Sequence, residues 1–154
     1  MADIQQTTLK VQNLLTGPLR LQPRLAGRFI VVELPISDIS TECHILVQDW
    51  GKDPEGNQRT AVRVTAPILR EVNPSPELFE WVARESAKTL MGHIVLIDSK
   101  EPPGTVELLM AHVLLGDFLD EAELKMALFA VGFGADTLDD ELQGKFGGKR
   151  WVDR

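Results

Sequence analysis

Residues 105–115 read TVELLMAHVLL, and packing on one side alone cannot hide them. Side chains of a strand alternate between its two faces. Val106, Leu108, Met110, His112 and Leu114 fall on one side, and Glu107, Leu109, Ala111, Val113 and Leu115 on the other. Only Glu107 and His112 are polar. A strand with one wet face alternates cleanly, so this one asks for cover on both. Gly116 and Asp117 supply turn residues after it. A capped helix follows, with Asp120 at the cap and Glu123 three residues on, the Asp form of a capping box. Leu124, Ala127, Leu128 and Val131 make one apolar stripe at helical spacing. Met126, Phe129, Ala130 and Phe133 make a second beside it. Gly132 and Gly134 are expected to stop this helix, leaving a short acidic helix before residue 142. The double stripe has two readings: a helix sunk in its own core, or one stripe facing a partner chain.

The rest of the chain supplies elements to pack against this pair. Residues 3–16 read as an amphipathic helix capped by Asp3 and ended by Gly17-Pro18. Residues 18–27 hold two prolines and no clean period, as in an extended connection. Residues 28–34, 43–50 and 59–66 read as strands, with a loop at 37–41 and a polar turn at 51–58. Cys43, Ile45, Val47, Val62 and Val64 point inward; His44, Leu46, Gln48, Arg63 and Thr65 point outward. Residues 74–92 make the clearest helix. Ser75 is its cap, Pro76 its first position and Gly92 its stop, and a broad stripe from Leu78 to Leu90 is expected to cover the sheet. Residues 93–99 form a strand that turns at 100–104 into the strand 105–115. The expectation is therefore an α+β fold with a five-stranded antiparallel sheet in the order α-βββ-α-ββ-α-α. Residues 1–144 make a single domain, and 145–154 a solvated basic tail.

Composition removes several classes of function. One domain is natural at 154 residues. A net charge of −7 disfavours nucleic acid, which is bound by neutralising phosphates with Lys and Arg. No apolar run approaches the roughly 20 residues that span a bilayer, so no membrane partner is expected. The single cysteine, Cys43, fits a reducing compartment. With no segment of signal-peptide form, the expected location is cytoplasmic.

Motifs for chemistry are missing as well. The sequence has no phosphate loop after a strand and no Gly-x-Ser-x-Gly elbow. Cys43 and His44 are strand neighbours and face opposite ways. His44, His93 and His112 could meet across a sheet, yet no close-spaced ligand pair marks a zinc site, and no cofactor or metal is expected. Glu107 and His112 lie five apart on one strand, so on opposite faces, and make no acid–base pair. Asp136, Asp139, Asp140 and Glu141 suit the first turn of the short helix, where the dipole favours negative charge.

The element order, together with MAHVLLGDFLDEAELKMALFAVGFGADTLDDELQGKFGG, resembles the type III secretion chaperone-like fold and, within it, the YbjN-type proteins. The resemblance implies a small α+β module, typically a homodimer, that holds a partly extended client peptide on apolar patches. It carries no active-site residues. The expected function is a non-enzymatic peptide- or protein-binding adaptor whose contacts are Leu109, Val113, Met126, Phe129 and Phe133. Its partner is a client protein or peptide, with a second copy of the chain. The alternative is a small-ligand or metal-binding sensor with a pocket between sheet and helix.

Overall fold

The computed structural model describes residues 3–35 and 41–153. In chain order the elements are α1 (Ile4–Thr16), β1 (Arg24–Ala26), β2 (Phe29–Leu34), β3 (Thr41–Lys52), β4 (Gln58–Val72), α2 (Pro76–Ser86), β5 (His93–Asp98), β6 (Val106–Leu115), α3 (Glu121–Phe146) and β7 (Lys149–Arg150). The strands form one antiparallel sheet in the order β1-β2-β3-β4-β6-β5, with β7 paired to β4. The loop expected at 37–41 falls on residues 36–40, outside the described ones; Thr41 already belongs to β3. The helix starts follow their caps. Backbone N–H groups of Gln6, Leu78 and Glu123 donate to Asp3, Ser75 and Asp120 at 2.7, 3.1 and 2.8 Å, satisfying donors that have no partner inside the helix.

One face of the sheet is the core. Val11 and Leu15 of α1 and Leu124, Ala127, Leu128, Val131 and Ala135 of α3 pack there. They meet Cys43 and Ile45 of β3, Val62, Val64 and Ala66 of β4, and Leu108 and Met110 of β6. These side chains are almost wholly withdrawn from water, which makes this face the main source of stability.

Four expectations need correction. The class is α+β, but the sheet has seven strands rather than five. The extra ones are very short: β1 lies within the expected connection 18–27, and β7 within the expected tail. Their reason is backbone satisfaction rather than side-chain pattern. β3 pairs with β4 only as far as His44 opposite Thr65. Beyond that point β4 runs on to Val72, and its edge is taken by Lys149 and Arg150 opposite Arg70 and Leu69.

The second correction concerns the glycines. α3 is one helix of 26 residues and passes through Gly132 and Gly134 without a break. A Cβ on Gly134 would stand 3.0 Å from Met110 Cε, so this glycine lets the helix lie close on the sheet. Helix glycine costs about 1 kcal/mol relative to alanine; here tight packing offsets it. The acids Asp136, Asp139, Asp140 and Glu141 consequently ride along the helix interior rather than at a first turn. Cations answer two of them: Lys145 pairs with Glu141 at 2.6 Å, and Arg150 reaches Asp140.

The third concerns the helix expected over 74–92, which ends at Ser86. The Ser86 hydroxyl accepts from the Ile94 N–H and donates to the Ile94 carbonyl, each at 3.1 Å, which fastens the helix end to the start of β5. Gly92 turns the chain in left-handed conformation, at φ +81°. Leu90 therefore lies beyond the helix and is 99% exposed. α2 covers only the edge of the sheet. It sits by β5, burying Leu78 and setting Trp81 edge-on to Phe146 of α3.

The last is the basic tail, which does not stand free in solvent. Lys149 pairs with Glu71 at 2.9 Å, and Arg150 pairs with Asp153 at 2.9 Å. Arg154 lies outside the described residues.

Candidate functional site

No helix among the described residues lies on the other face of the sheet. Alternation puts every second residue of each strand there. Phe29, Leu46, Arg63, Thr65, His93, Val95, Ile97, Leu109 and Ala111 line a groove of about 410 Å³ across this face. Register sets them in rows across the strands. Phe29 is opposite Leu46, Leu46 opposite Arg63, and Arg63 opposite Val113. The next row runs His44, Thr65, Ala111, His93. The row after it holds Pro67, Leu109 and Val95. Ile97 and Val113 remain 41% and 43% exposed, whereas Val62 and Val64, each next to Arg63 in sequence, are fully buried. The difference is only which way each side chain points.

One end of the open face is closed by rings. The His44 ring stands 6.1 Å from those of Phe29 and Trp151. His44 Nε2 is 2.6 Å from Glu42 Oε1, and the same carboxylate takes Arg24 at 3.2 Å. Trp151 is held there by the β7 turn. Asp153 accepts from the Arg150 guanidinium and backbone N–H and from the Gln143 side chain of α3. The hydrogen bonds from Arg150 hold the Asp153 carboxyl well below the usual carboxylate range. Asp139 is pushed the other way, chiefly by burial.

The five expected contact residues do not form one surface. Leu109 lies in the groove, and Val113 extends its Arg63 row. Met126, Phe129 and Phe133 make an exposed stripe along α3, and that helix covers the opposite side of the sheet. The stripe that includes Leu124, Ala127, Leu128 and Val131 is the one turned into the core. Sequence reasoning missed Phe29, Leu46, Arg63, Val95 and Ile97. Two of these, Leu46 and Arg63, are legible from alternation as outward positions, but that they share a floor depends on the register of the assembled sheet.

The arrangement offers little chemistry. His44 and His93 share a row on the open face, while His112, with Met110, belongs to the other face and accepts from the Gly92 N–H at Nδ1. Among the described residues no three ligating side chains gather as a metal site would need. The buried Cys43 thiol is pushed up to about 12 by burial and by Glu42, which keeps it protonated and unreactive. The groove also differs in place from the pocket expected between sheet and helix, since it lies on the outer side of the sheet. No helix among the described residues is long and apolar enough to cross a membrane.

Comparison with known proteins fits this geometry. Residues 33–154 match the family model TY-Chap1, described as T3SS (YopN, CesT) and YbjN peptide-binding chaperone 1. The crystal structure of YbjN from E. coli is similar over 94% of each chain, with a TM-score of 0.54 at 10% sequence identity. At that identity the likeness is one of fold. Among curated proteins, none matches.

Proposed function

The chain belongs to the family of T3SS (YopN, CesT) and YbjN peptide-binding chaperones, and from that premise we propose that it is a non-enzymatic peptide-binding adaptor whose client lies extended on the open face of the sheet. The observation that carries this reading is the uncovered, largely apolar floor made by Phe29, Leu46, Val95, Ile97 and Leu109. An extended segment presents every second side chain to one face, about 6.6 Å apart. Such a segment can bury apolar groups in the groove while its other side chains stay wet. Burial of apolar area supplies roughly 25 cal/mol per Å² before the costs of ordering. Rows of side chains without deep specific pockets suit a client defined by pattern more than by one residue. Leu109 and Val113 are the proposed contacts. The test is Leu109→Asp with Val113→Asp, read by fluorescence anisotropy of labelled apolar peptides, with circular dichroism as the folding control. Loss of binding by a folded protein is expected; undiminished binding overturns the groove.

The exposed stripe Met126, Phe129 and Phe133 supports a second contact, with another copy of the chain. Met126→Glu with Phe129→Glu is expected to halve the mass seen by light scattering and to leave peptide binding in place. A monomeric native protein overturns this part alone. A cytoplasmic location is part of the same proposal, supported by the lone free thiol of Cys43.

A further inference from the structure

The groove is lined by two titratable side chains, Arg63 and His93, and no carboxylate. Arg63 sits at the centre of the sheet, on β4 between β3 and β6. Its cross-strand neighbours are Leu46 and Val113. Thr65 and Ala111 stand in the adjoining row. Among the described residues the Arg63 side chain makes no hydrogen bond and no ion pair. Its situation differs from that of Arg24, Arg59, Arg70, Arg84 and Arg150, each of which reaches a carboxylate. The chain as a whole carries −7, so acids are plentiful, and none of the described ones pairs with this guanidinium. Glu107 shares the face but lies opposite Ile97, beyond the Leu109 row.

Resting on the groove reading above, we infer that the client segment carries a carboxylate side chain flanked by apolar ones, and that Arg63 receives it. The guanidinium projects from an apolar floor, where an occupant would strip water from it. A carboxylate can replace that water with two parallel N–H···O bonds, whereas an amide offers one acceptor and an ammonium repels. Low surrounding polarity strengthens the pair relative to one on an open surface. His93, one row away across β6 and β5, adds a polar donor on the same side. Arg63 thus sets specificity, while Leu46, Leu109, Val95 and Ile97 supply area. A negatively charged chain whose groove presents the Arg63 cation also turns away acidic segments that lack apolar residues to pair with the floor.

The probe is a set of three capped nine-residue peptides alternating Leu and Ser, with Glu, Gln or Lys at the centre, titrated by calorimetry against native protein, Arg63→Gln and Leu109→Asp. For the native protein the Glu peptide is expected to bind about tenfold more tightly than the Gln peptide, the effect of one charge-assisted pair. The Lys peptide should be weaker still. Arg63→Gln should abolish the preference while keeping the affinity for the Gln peptide, and added salt should narrow it in the native protein only. Equal binding of all three peptides by native protein, lost in Leu109→Asp, overturns the role of Arg63 and leaves the groove standing. No binding of any peptide overturns both. Displacement of the Glu peptide by a medium-chain fatty acid at lower concentration makes the occupant a small amphiphile and overturns the peptide. A native dimer that Arg63→Gln dissociates makes the occupant a second copy, with the same consequence.

Discussion

β6 has two faces of nearly equal oiliness and opposite fates. Leu108 and Met110 are sealed under α3, while Leu109 between them looks out over an open groove and Val113, further along, stays exposed on the same face. The same contrast runs along β4, where Val62 and Val64 are core and Arg63 and Thr65 are not. Composition therefore does not separate the stabilising side of this sheet from the proposed binding side. The supply of helices does. Among the described residues α1 and α3 lie across the sheet, α2 reaches only its edge, and the core they share is on one side. What is left bare is available for another chain's residues.

Substitutions one residue apart test that contrast most sharply. Leu108→Ala removes a fully buried side chain and is expected to lower stability by about 2–5 kcal/mol, read by urea denaturation. Leu109→Ala is expected to change stability by less than about 1 kcal/mol, with its main effect on peptide affinity. If the two melt alike, the faces are not energetically distinct. Gly134→Leu should come next, since a large side chain must push Met110 aside and lift α3; a loss of about 1–3 kcal/mol is expected. Gly134→Ala asks only that the Met110 methyl give way and gains helix propensity, so its melting temperature should barely move.

Smaller effects come from the β7 turn, which touches both sides: Gln143 of α3 holds Asp153, and Trp151 meets His44 on the open face. Asp153 has a folded-state pKa below its ordinary value. Its contribution is therefore complete above the ordinary carboxylate range near pH ~4 and fades as pH falls through and below it. Amide exchange of Lys149 and Arg150 should speed up relative to β4 on acidification below pH ~4, after allowing for the intrinsic rate. Asp153→Asn should remove that dependence. Asp139 has the opposite sign. Its folded pKa is raised by burial, so its charged form opposes folding and stability falls as pH rises through its raised range. Asp139→Asn should raise the neutral-pH melting temperature slightly, by about 1–3 °C, and flatten that fall.

Much of this architecture could be read from local rules. Asp3, Ser75 and Asp120 cap as their spacing implies. The alternation of Cys43, Ile45 and Val47 gives the buried side of β3 directly. What escaped was whatever depends on a distant neighbour. Gly134 reads as a stop until Met110 is known to lie against it. β1 and β7 have no periodicity because the need for them arises at the edges of other strands. The candidate site was half legible for the same reason. Two-sided apolar character in β6 announced surplus surface, but the register that brings Phe29, Leu46 and Arg63 into line with Val113 is fixed only by the assembled sheet.

The sulfur of Cys43 lies 3.9 Å from the Leu128 carbonyl, beneath α3. Alkylating reagents can reach it only while that helix is away. Its labelling rate is thus a stopwatch for helix departure, set in the native sequence and mounted on the side of the sheet opposite the proposed groove. A bound peptide that slows the stopwatch would reveal that loading one surface tightens the grip on the other, without any change of residue.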